Sequence, residues 1–259
     1  MVKYILTSAL LLATFCYGSF EAVNINPNAV RIGNISGFKE GDVIVPYTNY
    51  GSGTLTSAYF VPFGLSELSM QQVSYSDNLA NRRYLVSGSN FGNGDYREIS
   101  AMLAVSVYSD GDLDVLTSLK YYRLKNQLGG TTSFGADINT SYRICQGLSS
   151  VFSILNIYTH ETDQIDIPMT MLASFEYTTD SDLNVYTGIE KSSSTTAVFK
   201  TGLEYAPFDN FAVSAGYNFD PQLITAGFAI GYSKWSLNYG MSYHFDLEYS
   251  YSFGIIYGS

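Results

Sequence analysis

The sequence predicts an all-β fold: an antiparallel transmembrane up-and-down β-barrel of about fourteen strands, with twelve as the alternative count. Three observations carry this. Apolar and polar residues alternate with period two in segment after segment. The segments have the length that crosses a bilayer when tilted. The polar faces hold Ser, Gly and Asn rather than the Lys and Glu of a soluble sheet surface. A secreted soluble β-sandwich or barrel is the competing architecture.

The clearest stretch is Trp235 to His244. Trp235, Leu237, Tyr239, Met241 and Tyr243 fall on one face, and Ser236, Asn238, Gly240, Ser242 and His244 on the other. Strand geometry sends alternate side chains to opposite faces, so this spacing specifies a strand with one greasy and one polar side. The next segment sets Tyr249, Tyr251, Phe253, Ile255 and Tyr257 against Ser250, Ser252 and Gly254. Earlier segments oppose Leu203 to Gly202, Ala215 to Gly216 and Phe228 to Gly227 in the same way. The polar side reads as a wet, crowded lumen. The apolar side reads as a lipid band with aromatic girdles, for which Tyr205, Tyr217, Tyr232, Trp235, Tyr243 and Tyr257 are the candidates.

Composition agrees. The 259 residues are 14% charged and 15% aromatic, with 23 Tyr and 23 Gly. Soluble domains average roughly 25% charged residues. No long apolar run follows the first residues, so no spanning helix is predicted, as in a barrel whose strands are half polar. A net charge of −10 speaks against binding of nucleic acid or anionic lipid.

Taken in order, residues 1–18 read as a secretory signal peptide. Lys3 gives the positive start, Ile5 to Phe15 the apolar core, and cleavage is expected after Gly18. Cys16 then leaves with the leader, so Cys145 is the lone thiol and no internal disulfide is possible. Residues 19–53 are irregular. Asn26-Pro27-Asn28-Ala29 is turn-prone, and Val43 to Tyr47 is short and contains Pro46. This segment is expected inside or beneath the barrel, or as a short edge strand. Residues 54–259 form the barrel.

Its strands are expected near Thr54–Phe63, Glu67–Ser76, Arg83–Asn90, Glu98–Tyr108, Leu113–Arg123, Thr131–Arg143, Ser149–Tyr158, Met169–Thr178 and Leu183–Lys191, followed by five more toward the C-terminus. Ser109-Asp110-Gly111-Asp112, Asp180-Ser181-Asp182, Pro207-Phe208-Asp209-Asn210 and Ser233-Lys234 supply tight turns. Longer connections, at Asn90–Arg97, Lys125–Gly130 and His160–Pro168, are expected on the outer face. No connection exceeds about a dozen residues, which leaves no room for a second soluble domain or a folded plug.

Chemistry-bearing residues are few. His160 opens an acidic loop with Glu161, Asp163 and Asp166, whose spacing matches no EF-hand. His244 lies at a strand end without a defensible nucleophile or carboxylate partner. No catalytic residue, metal site or cofactor is therefore predicted, and the chain is not read as an enzyme. Lumen-facing charges are expected from Lys200 and Glu204, which flank Gly202 in mid-strand, and from Glu176, Lys120 and Asp137. Asp114, Arg143 and Glu248 share the polar face, where strand-end charges lie at the interface. Acids and bases in a lumen can pair across it and narrow it.

Thr201 to Asn218, TGLEYAPFDNFAVSAGYN, and Ala226 to His244, AGFAIGYSKWSLNYGMSYH, resemble the last strands of the PorV/PorQ-like outer-membrane proteins, relatives of the FadL-type long-chain fatty-acid transporters. Asn26-Pro27-Asn28-Ala29 looks like their N-terminal Asn-Pro-Ala element. The resemblance covers the last 65 or so residues well and the remainder by pattern. It implies a fourteen-stranded barrel in the outer membrane of a Gram-negative-type bacterium. It also implies passage of small hydrophobic solutes, or a structural, secretion-associated scaffold with a filled lumen. The expected partners are outer-membrane lipid, the barrel-assembly machinery, and a small solute or a secretion partner; no nucleic acid is expected.

Overall fold

The structure, a computed structural model, describes Phe20 and residues 23–46, 53–79, 82–127, 129–160, 167–179 and 181–258. The leader, Tyr47 and the acidic residues 161–166 lie outside the described residues. Fourteen antiparallel strands close into one barrel, each paired with its sequence neighbours and β1 with β14. They are β1 (Thr54–Val61), β2 (Met70–Leu79), β3 (Arg82–Gly92), β4 (Arg97–Ser109), β5 (Leu113–Asn126), β6 (Gly129–Cys145) and β7 (Leu148–Thr159). They continue as β8 (Thr170–Thr178), β9 (Leu183–Ser192), β10 (Ala197–Phe208), β11 (Phe211–Phe219), β12 (Gln222–Tyr232), β13 (Trp235–His244) and β14 (Glu248–Tyr257). The seam runs in register from Leu55↔Tyr257 to Val61↔Tyr251. Closure leaves no unpaired sheet edge, which a chain in hydrocarbon requires.

The alternation seen in the sequence is the inside–outside division. In β1, Thr54, Thr56, Ala58 and Phe60 are buried toward the interior, while Leu55 and Tyr59 are exposed outside. Leu119, Phe134, Phe152, Met171, Leu203, Val213, Leu237 and Phe253 are among the large apolar residues exposed on the outer surface. On a soluble protein such a continuous apolar belt would be a liability; against lipid it is the ordinary exterior.

Element boundaries follow local chemistry. The first hairpin departs from the expected bounds. Pro62 has no N–H to give the ladder, so β1 stops at Val61. Phe63 then turns with φ of 52°, two short 3₁₀ turns cover Pro62–Gly64 and Ser66–Leu68, and β2 starts at Met70 rather than Glu67. The turn Asp110–Asp112 is held by the Asp110 carboxylate, which accepts from the Leu113 N–H at 2.9 Å, with Gly111 at φ of 94°. That contact and the Tyr108 hydroxyl hold the Asp110 carboxyl below its usual range. Strands β3 to β6 run longer than expected, which shortens their connections. Residues 110–112, 146–147, 209–210 and 233–234 make tight turns at one end, where β1 starts and β14 finishes. The long connection 62–69 lies at the other end, where β7 finishes and β8 starts.

The interior is not a wet lumen. The N-terminal segment lies within it, and residues 24–33 are buried throughout. Asn26 caps a short helix α1 (Pro27–Val30) by accepting from the Asn28 N–H at 3.0 Å, with Pro27 in the first turn. Gly33 and Asn34, with φ of 86° and 56°, end it. Ile32, Ile35, Phe38 and Val45 then pack against the wall residues Val151, Leu155, Leu172 and Tyr186. Val43 packs on Leu85, Met102 and Ala104, and Ile25 on Ala58 and Phe60. Burying each such side chain contributes about 1.5–3 kcal/mol. Two expectations are corrected here. The connections are short, but a plug is present, built from the N-terminal segment instead. Residues 43–46 form turns, not an edge strand. Polar and apolar side chains share the inward faces because the plug supplies apolar partners.

Candidate functional site

The plug meets two unlike walls. On strands β10 to β14 the inward positions it crosses are glycines. A Cβ on Gly202 would collide with the carbonyl of Ile32, and one on Gly216 with the backbone of Gly33. At Gly227 it would lie 2.7 Å from the Arg31 Cβ, at Gly240 2.8 Å from the Pro27 carbonyl, and at Gly254 2.7 Å from Pro27 Cγ. Gly202 is paired with Gly216, and Gly227 with Gly240; between these couples the line steps along the strands. These residues form a track on which α1 and the turn after it lie backbone to backbone. The Thr225 hydroxyl accepts from the Gly33 N–H at 3.0 Å, and the Ser252 hydroxyl donates to the Ile25 carbonyl at 2.5 Å.

Charge fixes the plug on the same side. Glu204 of β10 is buried and pairs with both Arg31 and Lys39 of the plug, the latter at 2.6 Å. Arg31 also donates to the Ser214 hydroxyl, and its Nε donates to Asn28 Oδ1 at 3.0 Å. Lys200 pairs with Glu190 at 2.5 Å and donates to the Asn34 carbonyl at 3.1 Å. A buried carboxylate with two cations has its desolvation offset only while both partners stay in place. Within the plug, Asp42 Oδ2 accepts from the N–H of Gly37 at 2.9 Å, and Oδ1 from those of Ile44 and Val45 at 3.0 and 3.3 Å. Burial outweighs these bonds and pushes the Asp42 carboxyl up to about 6. Glu40 is raised for the same reason.

Across the barrel, β2 to β7 meet the plug through side chains such as Leu85, Met102, Val151 and Leu155, not backbone to backbone. A cavity of about 110 Å³ opens there, toward the end with the longer connections. Ile25, Val43 and Ile44 line it from the plug, and Met70, Phe91, Met102 and Tyr122 from the wall, with Gln72, Ser87, Lys120 and Asn156 among them. Nearer the turn end a second cavity, of about 70 Å³, is polar: Arg83, Asp114, Ser141, Arg143 and Glu176 face Gly37 and Phe38. Lys120 pairs with Asp137 at 2.7 Å. Asp137 also accepts from the Ser118 hydroxyl and the Asn156 N–H, each at 2.8 Å, where β7 bulges between Ile154 and Tyr158.

The structure places the singled-out residues as follows. Glu204 and Lys200 belong to the plug contact. Lys120 and Asp137 pair within the far wall, and Glu176 lines the polar cavity. Asp114 is buried against Arg83 at 2.9 Å. Arg143 and Glu248 are exposed at strand ends. Tyr205, Tyr232, Trp235 and Tyr257 face outward near the turn end, where the Trp235 and Tyr257 rings lie 4.7 Å apart; Tyr217 and Tyr243 lie near the other end. Cys145 is free and exposed, and His244 stacks edge-on against Phe63. Sequence reasoning missed Arg31, Lys39 and the glycine track. Their signal was two cations in the irregular segment 19–53, and at least one glycine on the polar face of each of five successive strands.

No family model matches the chain, and no curated protein does. Solved structures do. A TodX variant lacking S2S3, described as a monoaromatic hydrocarbon channel, is 10% identical, with 92% of this chain and 99% of that one covered and a TM-score of 0.66. The Pseudomonas putida toluene transporter TodX is 9% identical, with coverages of 92% and 98% and a TM-score of 0.62. The monoaromatic hydrocarbon channel CymD is 12% identical, with coverages of 90% and 98% and a TM-score of 0.60. At such identities the likeness concerns fold. A closed fourteen-stranded sheet with an apolar exterior is the fold of an outer-membrane β-barrel, and that is what this chain adopts.

Proposed function

We propose that the protein is a passive channel of the outer membrane of a Gram-negative-type bacterium, admitting small, largely apolar solutes. The observation that carries this reading is the 110 Å³ cavity between plug and far wall, apolar over most of its lining and placed toward the longer connections. Outer-membrane barrels keep short turns on the periplasmic side, so the cavity faces outward. Its size suits a single-ring molecule, and the hydrocarbon channels of similar fold support the solute class. Relationship to the PorV/PorQ-like and FadL-type proteins is part of the proposal and rests on residues 201–244.

The test is uptake. Cells producing the protein should accumulate radiolabelled toluene or benzyl alcohol several-fold faster, at limiting concentration, than cells without it; equal rates would overturn the reading. The second reading, a structural or secretion-associated scaffold, is favoured by the plug itself. Under it, native-envelope crosslinking returns a discrete protein partner while uptake stays at background.

A further inference from the structure

The two cavities are separated by a short stretch of the β5–β7 wall. The inward positions of β6 are polar or small all along it: Ser133, Gly135, Asp137, Asn139 and Ser141. Asn139 lies between the cavities and is 1% exposed. Neither its amide nitrogen nor its carbonyl oxygen meets a partner among the described residues, and the same is true of the Ser153 hydroxyl. Ser153 is the residue directly opposite in β7. Orphaned buried amides are uncommon and cost about 1–3 kcal/mol each. Two steps along the strand, Asp137 is fully engaged by Lys120, Ser118 and the Asn156 N–H. Other such atoms, on Ser76, Asn184 and Asn218, lie on other strands, whereas Asn139 and Ser153 face each other across one rung of this wall.

From this juxtaposition we infer that solute crosses the plug along the β5–β7 wall, with Asn139 and Ser153 as its central binding point, and that the cargo is a small uncharged molecule carrying a hydrogen-bonding group. The inference rests on the channel reading above. The opposite wall offers no route, because its glycines touch plug backbone. The cargo is uncharged because the nearby charges, Lys120 with Asp137 and Arg83 with Asp114, are already paired. A bare ion would be desolvated there without a counter-charge. A pure hydrocarbon would leave the Asn139 amide unsatisfied. An alcohol or amide supplies both the donor and the acceptor that Asn139 lacks.

Accessibility tests the route. Asn139→Cys and Asn238→Cys are compared in a Cys145→Ser background. Asn238 is equally buried, on the opposite wall. Iodoacetamide, itself a small uncharged amide, should alkylate Asn139→Cys about tenfold faster than Asn238→Cys in the folded, unboiled barrel, through local opening of the looser wall. The two should react alike after boiling in detergent. Equal rates in the folded barrel would overturn the route; if Asn139→Cys does not fold, Ser153→Cys decides in its place. For the cargo class, Asn139→Leu should slow benzyl alcohol uptake several-fold and leave toluene uptake unchanged. Equal loss of both would overturn the hydrogen-bonding role. A wild-type protein importing neither solute would fell the channel reading, while the alkylation ratio still decides whether the wall opens.

Discussion

The wall formed by β10–β14 and the wall formed by β2–β7 are built from the same alternating strands, yet they treat the plug differently. The first is stripped to glycine where the plug crosses it and holds the plug by backbone contact and by Glu204. The second keeps full side chains, packs Leu85, Met102 and Leu155 against isolated plug residues, and leaves two cavities. The difference shows how one sheet can both anchor an internal segment and leave a passage beside it. Close approach removes side chains from one wall, and the volume left over accumulates at the other.

The sharpest way to break the contrast is to add side chains to the tight wall. Gly216→Val would drive a branched side chain into the Gly33 backbone, which no rotamer relieves. We expect a loss of about 3 kcal/mol or more, read as a lower thermal midpoint of the folded, heat-modifiable species in detergent. An effect of similar size is expected from Glu204→Gln, which strips the counter-charge from Arg31 and Lys39 at a cost of about 3–5 kcal/mol. Trypsin should then cut the plug after Arg31 or Lys39. Asp137→Asn, which disturbs a pair within the far wall only, should leave those sites protected; equal cleavage would mean that the charges do not distinguish the walls.

A smaller effect concerns the plug's own turn. The Asp42 carboxyl sits at about 6 in the folded protein, against an ordinary 3.8. Between these values the folded state keeps a proton that the unfolded chain has lost. Asp42 therefore makes stability fall as pH rises from about 4 to about 6, by up to about 3 kcal/mol, with no further change above. Asp42→Asn should flatten that part of the pH profile of the thermal midpoint. The smallest effect belongs to the loose wall. Ser87→Val adds an apolar group beside the larger cavity and should shift stability by less than about 1 kcal/mol.

Much of the barrel was legible because period-two alternation is a local property. From Arg97 onward, each expected strand overlaps an observed one, since a one-residue slip would turn every side chain to the wrong face. The first hairpin is also found, and only its bounds shift where Pro62 and the left-handed Phe63 override the pattern. The plug was harder to read. Asn26-Pro27-Asn28-Ala29 announced a turn, but nothing local in residues 23–46 says which wall they meet. Lys200 and Glu204 stood out as mid-strand charges; Arg31 and Lys39, the partners of Glu204 in space, lie more than 150 residues earlier.

By itself, then, the sequence determined the closed sheet, its inside and its outside, because those follow from neighbours along the chain and from the next hairpin. Tertiary structure alone decided that the interior is occupied, that five glycines form one track, and that Asn139 is buried without a partner between the two cavities. Those facts depend on how far each strand is staggered around the ring. That stagger is a sum over all fourteen pairings and is not present in any one of them.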